Sequence, residues 1–310
     1  MSRPWRYVAV SVAGERSTRE GRRCADASAA RWDGTSQALV LVAADGAGTA
    51  RCARSGAQTV VEEVTARAFE GLLDDQERLV DGARLEAYLV DLARSARRRL
   101  EDASSAADPA SSVAGAIDTG PTVLDDYATT LLITLATPCC VAALQVGDGY
   151  VLRVTQETVP EALFQPNRGR YANETAFLTS FASFDELLAR GQVQVRSLPV
   201  AATSALGLIT DGLEHVVMDM RAGGVPHAPL VASLLRELQR FEPEVFAERL
   251  ERYLLQSQRI RERSDDDKTL VLAVDLDHAA AAVAALGETS EVDTVGGDAH
   301  ALTPLGGGDA

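Results

Sequence analysis

Five runs rich in Val, Leu, Ile and Thr, at 129–136, 140–146, 149–155, 192–198 and 205–210, follow one another through the middle of the chain. No helical periodicity is interposed in that stretch. A doubly wound parallel sheet needs a crossover helix after nearly every strand, so this order argues against one. It predicts antiparallel strands with helices packed on the outer faces. Three further strand-like runs lie at 6–12, 37–44 and 269–275. Apolar residues recur at helical spacing in 53–73, 76–102, 228–240 and 242–257, which supply the covering layers.

The charge-free run from Tyr127 to Gly147 is long enough to raise the question of a membrane span. Its four threonines, Pro138 and Gln145 argue against one. It reads instead as two buried strands joined by a tight turn at Thr137-Pro138. The amino terminus, MSRPWRYVAVSVAG, has too short an apolar stretch for a secretory signal. With 46% hydrophobic residues the chain can bury a large core. We expect one domain over residues 1–286, interrupted by a flexible loop at 103–121, and a disordered tail at 287–310, which carries six glycines.

The net charge of −15 speaks against a non-specific nucleic-acid binder, which needs clustered cations, and suits a site that concentrates metal ions. Cys24, Cys52, Cys139 and Cys140 form no CxxC pair, so a zinc site or disulfide framework is a poor reading and a reducing, cytoplasmic setting the better one.

Acidic residues at the ends of apolar strands are the candidates for chemistry. Asp45 follows ALVLVAA, Asp211 follows ALGLIT, Asp265, Asp266 and Asp267 precede KTLVLAV, and Asp26, in RRCADAS, lies before the next strand-like segment. A lone Asp-Gly after a strand is ordinarily a turn. Several such junctions in one chain can also converge on one edge of a sheet and hold hard divalent cations. Two ions about 3.5–4 Å apart would activate a water and bind phosphoryl oxygens.

The order and wording of these segments resemble the metal-dependent protein phosphatases (PPM, or type 2C), over roughly residues 8–276. CADAS, VAADGAGTA, YATTLLITL, LQVGDGYVLRV, LGLITDGLEHVV and SDDDKTLVLAV are similar to successive motifs of that family, and RGRYANETAFLTS resembles a mainly bacterial branch. The resemblance implies an αββα sandwich of two antiparallel sheets with helices on the outer faces and a metal site at one end. It implies a protein serine/threonine phosphatase using two Mn²⁺ or Mg²⁺ ions, with room for a third, on a phosphorylated protein targeted by a cognate Ser/Thr kinase. Carried over by position, Asp45 would bridge both metals, Gly46 would offer its carbonyl, Asp211 and Asp267 would complete one metal, and Asp26 would hold metal-bound waters. Asp265 and Asp266 remain alternatives to Asp267.

The chain also departs from the pattern. Ala47 stands where eukaryotic members have a histidine general acid, Ala25 where an acidic residue precedes Asp26, and Gly21 where a phosphate-binding arginine lies. Arg16, Arg19, Arg22 and Arg23 are substitutes for that arginine, with Arg22 and Arg23 preferred. Asp125 and Asp126 fall near a third-metal position, and Asp148 reads as a hairpin turn residue. These departures keep a second reading open, a pseudophosphatase serving as a binding or sensor module.

Overall fold

The computed structural model describes residues 5–74, 81–106, 123–155, 160–166 and 175–277. Most of the expected 103–121 loop, the 287–310 tail and the segment 167–174, with Asn173 and Glu174, lie outside these residues.

Twelve strands form: β1 (Trp5–Val12), β2 (Ala27–Asp33), β3 (Ala38–Ala44), β4 (Leu131–Ala136), β5 (Cys140–Val146), β6 (Tyr150–Val154), β7 (Glu161–Ala162), β8 (Gln194–Pro199), β9 (Ala205–Ile209), β10 (Met218–Asp219), β11 (Val225–Pro226) and β12 (Lys268–Asp275). One sheet has the order β1-β12-β9-β6-β7 and a second β2-β3-β4-β5-β8, with β10 and β11 as a separate two-stranded ribbon. Every pairing is antiparallel. All eight strands expected from the sequence are present, and β2 together with the two-residue strands β7, β10 and β11 are additions.

Period-two alternation builds the layers. Along β3, Val40 and Val42 enter an outer core under the helices Ala53–Arg67 and Gly82–Ala106. Leu39 and Leu41 point the other way and meet Leu132, Val151, Leu208 and Val271 between the two sheets. On the opposite side, Leu270 and Leu272 of β12 pack beneath the helices Ala228–Arg240 and Pro243–Gln256. With both faces covered, the central strands are apolar throughout, which explains the unbroken runs in the sequence. The helix Gly82–Ala106 buries Leu85, Leu89, Leu92, Ala96 and Leu100 along one stripe, the spacing that a 3.6-residue turn requires. The architecture is the αββα sandwich expected.

One connection differs from expectation. β5 pairs with β4 and β8, whereas β6 pairs with β7 and β9. The Gly147-Asp148-Gly149 segment is therefore no hairpin turn. It carries the chain from one sheet to the other, with Gly147 at φ +108° to make the corner.

Candidate metal centre

The C-terminal ends of β3, β5 and β9 and the N-terminal ends of β2, β4, β6 and β12 lie at one end of the sandwich, as the antiparallel registers require. Asp45, Asp148 and Asp211 converge there. Each offers a carboxylate oxygen, and these atoms lie within 4.8 Å of one another. The residues stay partly open to solvent, so a ligand can reach them.

The threonines of YATTLLITL explain how Asp45 is held. Thr130 N–H and Thr129 Oγ1 both donate to the Asp45 carbonyl at 2.9 Å, and Asp45 N–H donates to Thr130 Oγ1 at 2.9 Å. The backbone is thus pinned while the carboxylate is left for other work. Gly46 forms an isolated bridge with Thr129. The flanking bonds run from Thr130 N–H to the Asp45 carbonyl and from Ala47 N–H to the Ala128 carbonyl, so neither engages the Gly46 carbonyl.

Asp26 is buried behind this group. Its Oδ2 accepts from Thr210 Oγ1 (2.8 Å) and Thr269 Oγ1 (2.9 Å), while Oδ1 has no hydrogen-bond donor. The Asp45 carboxyl is within hydrogen-bonding reach of both the Asp26 and Asp211 carboxyls. Two facing acids share a hydrogen bond only if one of them is protonated.

Burial and mutual repulsion act in the same direction. Asp26 and Asp211 are each pushed up to about 7, first by burial and then, against partial relief from hydrogen bonds, by neighbouring acids. Asp45 is raised well above the carboxylate range by burial and by Asp26 and Asp211. Asp148 is raised by burial, although the Thr175 hydroxyl donates to it. A cluster of carboxylates that resists ionising lacks a counter-charge, and a hard divalent cation supplies one with oxygen ligands of this kind. The donor set and the orphaned Asp26 Oδ1 fit such ions.

The acidic triplet sorts into three separate roles. Asp265, half-buried like Asp266, takes Arg16 (3.2 Å) and Arg19 (3.1 Å), and Arg16 also lies 3.9 Å from Asp266. Asp267, expected to ligate metal, instead accepts backbone N–H bonds from Gly14 (2.7 Å) and Ala25 (2.6 Å), one on each oxygen. Asp266 is the member whose charge is felt at Asp148 and Asp211. Close backbone approach fixes this register. A Cβ on Gly212 would sit 1.9 Å from the Asp267 carbonyl oxygen, and one on Gly14 would sit 2.2 Å from the Asp266 carbonyl.

Arg22 and Arg23 are both exposed, and Arg22 pairs with Glu20 and reaches over the loop after Asp45 to donate to the Gly48 carbonyl (3.1 Å). Asp126 is gripped by Arg51 Nε (2.9 Å) and Nη2 (2.5 Å), which lowers its pKa and removes the need for a metal there. Cys24 is raised by burial and by Asp26 and Asp267, which keeps the thiol protonated and unreactive. Asp148 is the residue that sequence reading assigned to a turn. Its flanking glycines were the available signal, since a chain crossing between sheets needs them as much as a hairpin does.

Beside the centre opens a cavity of about 760 Å³ lined by Ala47, Asp125, Thr175, Phe177 and Arg190, among others. Thr175 belongs to both places, since its hydroxyl donates to Asp148.

The family profile described as Protein phosphatase 2C matches residues 13–255. Serine/threonine-protein phosphatase 3 of Escherichia coli (strain K12) is 28% identical over 276 residues, 87% of this chain and 98% of that protein. Among solved structures, the Staphylococcus aureus serine/threonine phosphatase Stp1 superposes with a TM-score of 0.55 at 16% identity, covering 86% of this chain and 94% of Stp1. The catalytic domain of serine threonine protein phosphatase PstP, crystallised with 2 manganese ions, gives 0.54 at 19% identity, covering 87% of this chain and 97% of that one. At those identities the structural likeness shows the fold.

Proposed function

The chain belongs to the protein phosphatase 2C family, and from that premise we propose that it hydrolyses phosphoserine and phosphothreonine esters in proteins, at the carboxylate centre and with Mn²⁺ or Mg²⁺. The observation that carries the assignment of the centre is the convergence of Asp45, Asp148 and Asp211, none of which forms an ion pair with a described residue. Asp45, in the middle of the group, is assigned to hold two ions together with the Gly46 carbonyl. Asp211 and Asp266 would complete one ion, in place of the Asp267 expected from sequence. Asp148 with Asp211 offers the place for a third. Bound there, the metal pair supplies an activated water and offsets phosphoryl charge.

The protein's own residues position and protonate. Asp26 Oδ1, buried and lacking a donor, is placed to accept a proton or a water hydrogen bond. Arg22, anchored on Gly48, is the better of the two candidate arginines for phosphate. The cavity beside Ala47 would receive the peptide. Since alanine cannot donate a proton to the leaving oxygen, that proton must come from solvent or from another side chain. The carboxylate set supports an enzyme over a binding module on the same fold. No described helix is long and apolar enough to cross a membrane. We place the protein in a bacterial cytoplasm, opposing a Ser/Thr kinase.

The decisive experiment is phosphopeptide hydrolysis with added Mn²⁺ and with excess EDTA, for the wild type and an Asp45→Asn, Asp211→Asn double variant. Hydrolysis should appear with metal in the wild type alone. Turnover that persists in EDTA, or in the double variant, would overturn the assignment.

A further inference from the structure

A second cavity, of about 900 Å³, opens between the β10–β11 ribbon, the turn that follows Asp211 and the segment around 259–263. Its lining carries five basic side chains, His215, Arg221, His227, Arg259 and Arg263, and a single acid, Asp219. That acid is already engaged, since its Oδ1 accepts N–H bonds from Arg221 (2.9 Å) and Ala222 (3.1 Å). Arg263 Nη1 donates to the His215 carbonyl at 2.7 Å, which ties two walls together. His227 Nδ1 accepts from Leu230 N–H at 3.2 Å, so only its other ring nitrogen is available to a ligand. Burial lowers the His227 pKa, and Arg259 and Arg263 lower it further against the opposing pull of Asp219, so these charges surround one space.

Arginines elsewhere in this chain commonly sit against an acid, as Arg16, Arg51, Arg94 and Arg153 do. Arg221 and Arg259 have no ion pair with any described residue. In a protein of net charge −15, an acidic ligand is repelled by much of the surface and drawn to such a place. The lining is also part apolar. Met218 and the exposed Met220 border the cations, and methionine adapts to varied side chains. The cavity is far larger than a lone phosphate requires.

From this geometry we propose that the cavity docks an acidic segment of the protein substrate, with an apolar side chain set between carboxylates, close in sequence to the phosphorylated residue. The proposal rests on the phosphatase reading above. His215 lies four residues after Asp211, and four residues of chain span at most about 14 Å. One peptide can therefore reach both the centre and the cavity.

The test uses the full chain and a synthetic unphosphorylated peptide bearing a leucine between two pairs of glutamates. Its binding is followed by fluorescence anisotropy in EDTA, which separates docking from catalysis. An Arg221→Glu, Arg259→Glu variant should bind roughly tenfold more weakly than the wild type, and the Arg221→Lys, Arg259→Lys variant should bind within about threefold of it. With Mn²⁺ present, the ratio of kcat/KM for an acid-flanked phosphopeptide to that for its neutral-flanked counterpart should fall by a similar factor in the Glu variant. Equal peptide binding by wild type and Glu variant overturns the proposal, as does an unchanged kcat/KM ratio. Displacement of the peptide by submillimolar inorganic phosphate also overturns it, in favour of a free-anion pocket. Peptide binding that depends on these arginines in a chain without phosphopeptide turnover would keep the docking cavity and reject the phosphatase reading.

Discussion

Asp45 and Asp126 are both acids beside the loop at 45–53, yet their surroundings drive them in opposite directions. Asp126 holds its own cation, Arg51, and its pKa falls. Asp45 faces Asp26 and Asp211, has no cationic partner among the described residues, and its pKa rises. The first is complete as a salt bridge. The second is complete only with an ion from solution. An acidic residue therefore marks a metal site when its neighbours leave its charge uncompensated, and acidity alone is no guide.

The largest effect should come from the centre itself. Asp45→Asn removes the carboxylate shared by the group, and metal-dependent hydrolysis should fall on the order of 10³-fold or more. Steady-state kinetics at saturating Mn²⁺ would show this, and activity within tenfold of wild type would end the contrast with Asp126.

Next is the register of the triplet. Asp266→Asn should weaken Mn²⁺ binding about 10–100-fold by calorimetry. Asp267→Asn should leave metal affinity closer to wild type and lower thermal stability instead, because it disturbs the bonds to Gly14 and Ala25. The reverse pattern would restore Asp267 as the ligand.

A third expectation concerns pH in the metal-free protein. Asp26 and Asp211 have folded pKa values near 7 against an ordinary 3.8. A raised folded pKa stabilises while the group is protonated in both states, and that benefit is lost as pH climbs from about 4 through about 7. Melting in EDTA should therefore drop on the order of 5 °C or more between those limits, and saturating Mn²⁺ should restore it at pH 7.5. Metal-free melting that rises over this range would contradict the buried, uncompensated cluster.

The smallest effect belongs to Asp126. Arg51→Ala should cost about 1 kcal/mol or less in urea denaturation, as expected of a partly exposed pair, with catalysis changed less than threefold. A large gain of Mn²⁺ affinity in this variant would show that Asp126, once released by Arg51, takes a metal after all.

Much of this was legible in the sequence because the central strands are buried on both faces and so read as continuous apolar runs. β2 was missed for the opposite reason. ASAARWD is an edge strand with no fully buried residue, and nothing in its composition separates it from a loop. Asp45 and Asp211 stood out as acids ending apolar strands, whereas Asp148 was hidden because a glycine-flanked turn between two apolar runs reads as a hairpin when pairing partners are unknown. Choosing within the triplet needed the backbone contacts of Gly14 and Gly212, which connect residues some 50 to 250 positions apart.

The pairing of β1 with β12 joins Trp5 to Asp275 and Val12 to Lys268, so the first strand waits for the last. During synthesis, Asp26, Asp45 and Asp148 leave the ribosome well before Asp211. Until the late strands arrive, β1 lacks its only strand neighbour among the described residues and the centre lacks Asp211. Closure of the first sheet thus depends on a contact between the two ends of the described chain, more than 250 residues apart in sequence.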